Sequence, residues 1–202
     1  MKTFAVFYEA NLPEDVEQLP KDVEQLPDGT YKKTSSGLIR YALDPQMTKL
    51  HRIDGPASIS SNHEQWWLNG KRHRIDGPAV IDPDHEEWWL NGQLHRVDGP
   101  AFTQSHGRIR GVPYTQELWY QNGQLHRIDG PAVTDPDHEE WWLNDQLHRI
   151  GGPALVAHMR TEWWVEGVKF TEEDYNNLMK RLLTLTDASD KEATIAAATM
   201  FD

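Results

Sequence analysis

The string His-Arg-Ile-Asp-Gly-Pro-Ala returns along this chain at a fixed step, and such periodicity forces each copy into the same local structure, stacked against its neighbours. It begins at His51, His73 and His126, and reads HRVDGPA at His95 and HRIGGPA at His148. The steps are 22, 22, 31 and 22 residues. Each copy continues to an aromatic pair and a turn: WWLNG from Trp66, WWLNG from Trp88, WYQNG from Trp119, WWLND from Trp141 and WWVEG from Trp163. All ten histidines and all nine tryptophans lie within these units. Those tryptophans matter because only 38% of the 202 residues are hydrophobic, too few for a large aliphatic core.

Asn-Gly between short runs of β-favouring residues predicts a hairpin, since a type I′ turn needs positive φ at both central positions. With Asn91-Gly92 as the turn, Leu90 faces Gln93, Trp89 faces Leu94, Trp88 faces His95 and Glu87 faces Arg96. Alternation then puts Leu90, Trp88, His95 and Val97 on one face, expected to be buried with the first aromatic of every pair. The other face carries Trp89, Leu94, Glu87 and Arg96, and with them the second aromatics Trp67, Tyr120, Trp142 and Trp164. In the Asp-Gly-Pro-Ala segment glycine and proline make a bend. Asp54, Asp76, Asp98 and Asp129 are expected to cap that bend or pair with an arginine. The PDHE links at Pro83 and Pro136 turn the chain into the next unit.

A unit of about 22 residues with an aromatic, Asn-Gly, a polar or basic pair, His and a glycine-containing bend resembles the MORN repeat, particularly its shorter variant. The likeness covers residues 51–170. It implies successive β-hairpins in one elongated, curved sheet, and it admits self-association into homo-oligomers. The doubled aromatic and the HRxDGPA bend depart from the usual pattern and are similar to repeat proteins of bacteriophages and large viruses. That similarity implies a phage-encoded inhibitor acting by steric occupation of a host protein, a defence protein in particular.

The chain therefore divides into an N-terminal cap (1–50), five hairpin repeats with an insertion at 102–115 (51–170), and a C-terminal helical cap (171–202). The fold class is mainly β, with tandem hairpins capped by C-terminal α-helices. In the first cap a strand is expected at Thr3 to Tyr8 and another near Leu38 to Leu43. The DVEQLP copies at Asp15 and Asp22 read as surface loop. In the last cap Thr171 with Asp174 forms a capping box before Tyr175, Leu178, Met179 and Leu182 at helical spacing. Ser189 with Glu192 suggests a second box, opening a helix with Ile195 and Met200.

The formal charge of −12 divides into −2, −6 and −4 over residues 1–50, 51–169 and 170–202. Distributed acidity argues against nucleic acid and anionic lipid as partners. No segment has the length of a membrane span, and the absence of cysteine fits a reducing compartment, so a cytoplasmic location is expected, host cytoplasm if the source is viral. Catalysis needs one unique constellation, whereas every candidate group here is copied four or five times. Repeated His-Glu-Glu triplets such as His85 to Glu87 would form a ladder and not converge on one metal ion. No catalytic residue, metal ligand or cofactor site is therefore assigned. The expected activity is protein binding through Trp67, Trp89, Tyr120 and Trp142, with Arg108, Arg110 and Tyr114 of the insertion, because aromatic and arginine side chains anchor interfaces. The alternative is capture of a small ligand, such as a nucleotide or signalling molecule, stacked on tryptophan and held by arginine.

Overall fold

Each repeat builds two hairpins, not one. The computed structural model describes residues 19–109, 112–185 and 187–199. Among them are fourteen strands in one long antiparallel sheet, four separate two-stranded hairpins and two C-terminal helices. In the unit that begins at His73, Val80–Ile81 and His85–Glu87 enter the long sheet as a pair, with Val80 opposite Glu87. The turn between them is closed by the Asp82 N–H donating to the His85 carbonyl (2.9 Å). The chain leaves the long sheet at Trp88, pairs Trp89–Leu90 with Gln93–Leu94, and is back opposite Trp88 at His95. Asn91 (φ 53°) and Gly92 (φ 84°) both hold positive φ, as the type I′ turn requires. Three of the other units repeat this, while in the fifth the strand Arg160–Val165 runs on unbroken and its hairpin with Val168–Phe170 stays in the long sheet; Asp145 and Glu166 accept positive φ where the motif drifts to Asn-Asp and Glu-Gly.

The expected pairings hold at Trp89 with Leu94 and Leu90 with Gln93. They fail at Glu87, which lies opposite Val80 and Phe102 and not Arg96. The reason is that Arg96 has crossed to the following unit, where its N–H donates to the Tyr120 carbonyl (3.0 Å). The same bond joins Arg52 to Trp67, Arg74 to Trp89, Arg127 to Trp142 and Arg149 to Trp164. A second bond links the turns themselves, for example from the Gly92 N–H to the Arg72 carbonyl (2.8 Å).

The arginine side chain completes this junction. Its guanidinium carbon lies over the first aromatic of the preceding unit: Arg74 over Trp66 at 4.0 Å, Arg96 over Trp88 at 4.0 Å, Arg127 over Trp119 at 3.8 Å and Arg149 over Trp141 at 3.6 Å. Arg96 also donates to Asp98 Oδ1 (3.1 Å) and to the Pro100 carbonyl (3.4 Å). A Cβ on Gly99 would stand 2.6 Å from the Arg96 guanidinium carbon, which explains glycine at this position. Asp54, Asp76, Asp98 and Asp129 thus pair with the arginine two residues before them. The first copy, Arg52, lies over Tyr41 at 4.2 Å. Tyr41, in the strand Leu38–Ala42, therefore serves as the aromatic of an incomplete unit ahead of the first motif.

Alanine fills the tightest point. Ala57, Ala79, Ala101, Ala132 and Ala154 are all fully buried. Ala101 donates to the Leu118 carbonyl and accepts from the Trp88 N–H, so it stitches two units together. The remaining buried aliphatics of the long sheet are few, chiefly Val80, Val133 and Leu155. Val97 was expected on the buried face and is instead 70% exposed, because the bend at Asp98-Gly99 carries it away from Trp88.

The insertion is not a loop. It lengthens a long-sheet hairpin, Phe102–Ile109 against Val112–Leu118, with a register shift between Ser105 and Arg108. The two-strand contribution of the unit is thereby preserved. At the N-terminal end the second DVEQLP copy forms the strand Val23–Gln25 with Val23 buried, where loop was expected; the strand expected at Thr3 to Tyr8 lies outside the described residues.

Helix α1 (Glu172–Thr184) is capped by Thr171, whose hydroxyl accepts the Asp174 N–H at 3.1 Å. Its Tyr175, Leu178 and Leu182 pack on Val165, with Trp163 and Phe170 alongside. Helix α2 (Ala188–Thr199) starts at Asp187, which accepts from the Ser189 N–H and hydroxyl, so Asp187 replaces the expected Ser189 box. Ile195 joins the cap core, and Met200 lies outside the described residues.

These junctions predict that Ala101→Leu, which overfills a closed site, destabilises the fold by about 1–3 kcal/mol. Gly99→Ala, which displaces Arg96 from Trp88, lowers the urea midpoint as well, whereas Gly107→Ala, with open space around it but φ +78°, costs only local backbone strain. Urea unfolding of the three variants checks this order.

Candidate functional site

The second aromatics stand on the Asn-Gly hairpins, and their orientation is fixed from the strand before them. Residues two apart on an extended chain share a face, so the acid before the pair reaches the second ring. Trp67 Nε1–H donates to Gln65 Oε1 (3.0 Å), Trp89 to Glu87 Oε2 (2.6 Å), Trp142 to Glu140 Oε2 (2.6 Å) and Trp164 to Glu162 Oε2 (2.8 Å). Tyr120 has Leu118 at the corresponding place. Burial and the Asp145 charge push its phenol pKa up.

Both members of every aromatic pair are half-buried, so the expected division into one buried and one open aromatic face does not exist. Each first aromatic is roofed by the arginine of the next unit, or by α1 in the case of Trp163. Of the second aromatics, Trp67 and Trp89 keep one side open. Between Trp67 and Trp89 lies an open cleft of about 810 Å³, lined also by Gly70, Lys71, Asn91 and Gln93. Arg72 sits in it, its guanidinium 5.5 Å from the Trp67 ring and 5.1 Å from the Trp89 ring, held by Glu87 Oε2 at 2.9 Å. Sequence reading missed Arg72, although it was visible as the lone arginine at a position that is leucine in the next three units (Leu94, Leu125, Leu147).

The insertion does not join this cleft. Phe102 lies opposite Glu87 and Gln104 opposite His85, so the hairpin extends past the His85 end of the sheet, away from Trp89. Arg108 stands opposite Pro113 on that projecting part, and Tyr114 follows on the same strand. Arg110 lies outside the described residues. The expected interface is thus split between two ends of the long-sheet strands.

Eight of the ten histidines take two structural roles. The first of each unit accepts, through Nδ1, the N–H of a turn residue in the next hairpin: His51 from Asn69 (3.0 Å), His73 from Asn91 (3.1 Å), His95 from Asn122 (3.1 Å) and His148 from Glu166 (3.2 Å). At His126 the Asn144 side-chain oxygen also approaches Nδ1 (2.9 Å). The second set lies on the long sheet, where Asp82 bonds both His63 and His85, and Glu140 bonds His138 (2.7 Å). Among the described residues no group of three or more such side chains is placed to hold a metal ion, and no helix is long and apolar enough to cross a membrane.

No family model, curated protein or solved structure matches this chain.

Two titrations follow from the geometry. Burial lowers the His148 pKa below its ordinary 6.5, with Glu166 opposing. The neutral imidazole is the form that accepts the Glu166 N–H, so its contribution is complete above about 6.5 and declines as pH falls below that value. Hydrogen bonds from Arg160 and Lys169 hold the Glu162 carboxyl down to about 2 from 4.5. Its contribution is complete above 4.5 and is lost as pH falls towards 2. Melting temperature should therefore fall in two stages on acidification. His148→Ala lowers it at neutral pH but flattens the first stage, and Glu162→Gln flattens the second.

Proposed function

We propose that this chain is a non-enzymatic protein-binding module whose contact surface is the row of second aromatics, centred on Trp67, Arg72 and Trp89. The observation that carries this reading is the cleft itself: two indoles locked in place by Gln65 and Glu87, with an arginine between them, open to solvent. Rigid aromatics and arginine lose little freedom on binding and dominate interface energies. Trp142, on the same face, extends the surface along the stack, and Tyr120 between them contributes a phenol.

The MORN-like repeat is on this reading a ruler that spaces the aromatics, and the projecting hairpin with Arg108 and Tyr114 is a separate arm. In keeping with the phage and viral resemblance, we assign it the role of an inhibitor that occupies the surface of a host protein, with host defence proteins as the first candidates and the cytoplasm as the compartment. The recurring His, Glu and Asp groups that could serve catalysis have structural partners in successive units, which favours architecture over chemistry.

Affinity capture from host extract, comparing wild type with Trp89→Ala plus Trp142→Ala, tests the reading. A specific partner retained by wild type and reduced roughly tenfold or more in the double variant is expected. Equal retention by the two proteins rejects the aromatic face. Stabilisation by a nucleotide, abolished in Arg72→Met, would replace protein binding with the small-ligand alternative, since the cleft volume suits such a molecule. A concentration-dependent sedimentation shift lost in the double variant would make the partner a second copy.

A further inference from the structure

Between the arginine and the aspartate of each of the first four motifs stands a β-branched aliphatic residue that the fold does not bury. Ile53, Ile75, Val97 and Ile128 are 85, 82, 70 and 84% exposed. Soluble proteins scatter exposed aliphatics singly, whereas here four occupy the same place in successive units and form a regular row. Two sheet strands per unit, each about 4.8 Å wide, place neighbouring members about 10 Å apart. The insertion leaves that spacing intact, because it lengthens strands and adds none.

The ion pairs along this row are unevenly exposed. Asp54, Asp76, Asp98 and Asp129 present side chains 81–85% exposed, while the arginines they pair with are only 22–25% exposed, pressed onto aromatic rings. The outermost groups are therefore aliphatic side chains and carboxylates, with arginines such as Arg52 and Arg74 lining the grooves beneath them. Grooves between successive bends, one between Ile53 and Ile75 floored by Trp66 and Leu68 and one between Ile128 and Ile150, provide room beside these residues.

The fifth unit shows what this surface accepts. There Gly151 replaces aspartate, and Tyr175 of α1 seats its hydroxyl at the bend, accepting from the Gly151 and Gly152 N–H groups (2.7 and 2.9 Å) and donating to the Arg149 carbonyl (3.1 Å). Ile150 between these contacts falls to 47% exposure. The helix that docks here opens with Glu172, Glu173 and Asp174, so an aspartate at 151 would add another negative charge beside an acidic helix start. Where the aspartate is kept, the complementary helix is a basic one.

We propose that the ridge Ile53–Ile75–Val97–Ile128 is a second docking surface, distinct from the Trp67–Trp89 cleft, for an amphipathic helix of a partner protein with an aliphatic residue at each heptad and lysine or arginine beside it. Seven residues of helix rise about 10.5 Å, which matches the unit spacing.

The probe is a synthetic helical peptide of about three heptads with leucine on one stripe and lysine flanking it, measured by calorimetry and by methyl chemical shifts of the full chain. Expected are saturable binding, shifts at Ile75, Val97 and Ile128, and an affinity loss of roughly tenfold or more in Ile75→Ser, Val97→Ser, Ile128→Ser. The same peptide should bind Glu64→Gln, Glu86→Gln, Glu139→Gln, whose changes lie on the long sheet, within about twofold of wild type. No binding to wild type, or an equal loss in both triple variants, overturns the proposal, the latter because general acidity would then account for the attraction. Trp89→Ala, which disables the cleft, should leave peptide binding unchanged, so the two surfaces fail or stand separately. The ridge variants alter exposed side chains, and an unchanged melting curve verifies their fold.

Discussion

The stack depends on one contact made four times between full repeats: an arginine from each unit laid over the tryptophan of the unit before. Arg74, Arg96, Arg127 and Arg149 cover Trp66, Trp88, Trp119 and Trp141 at 3.6–4.0 Å. A guanidinium so placed gains roughly 0.5–2 kcal/mol and shields an indole face that would otherwise meet water. The rest of the motif follows from making room for it. Glycine lets the guanidinium fold back, proline offers a carbonyl, aspartate binds the outer edge, and alanine closes the junction beneath. The recurring residues are thus a single mechanical part, and the structure assigns them to the scaffold.

This design explains how a chain with so little aliphatic core holds together. Among the described residues the fully buried side chains of the long sheet are small, and it is the C-terminal cap that assembles a cluster of conventional size around Val165, Tyr175, Leu178 and Leu182. Elsewhere the units are joined by backbone bonds, histidine-to-turn bonds and arginine stacks, all between sequence neighbours. Stability in such an array is a sum over nearest-neighbour junctions. The two ends then need substitutes for missing neighbours. Tyr41 supplies an aromatic for Arg52, and α1 covers Trp163, which no repeat arginine follows.

Much of the candidate site was legible because it is local. The Asn-Gly turn, the Trp89–Leu94 pairing and the Thr171 cap each depend on residues a few positions apart, and period-2 alternation put the second tryptophans on one face. Arg72 escaped notice because its importance arises from two rings on different units. The separation of the insertion from the tryptophans was equally hidden, since it depends on which end of the long-sheet strands is lengthened. Val97 was misassigned because alternation was carried through a bend that ends the strand.

The sequence by itself determined the repeat, its turn, its mainly β character and the helical cap, since these arise from steric preferences within a few residues and from periodicity. Only the tertiary structure decided that each unit makes two hairpins and that arginine belongs to its neighbour's tryptophan. It alone set a row of isoleucines and a valine in the open beside carboxylates. The arginine lies eight residues beyond the tryptophan it covers, past a turn at which strand alternation ends. Alternation along a single strand carries no information about what the next unit brings against it.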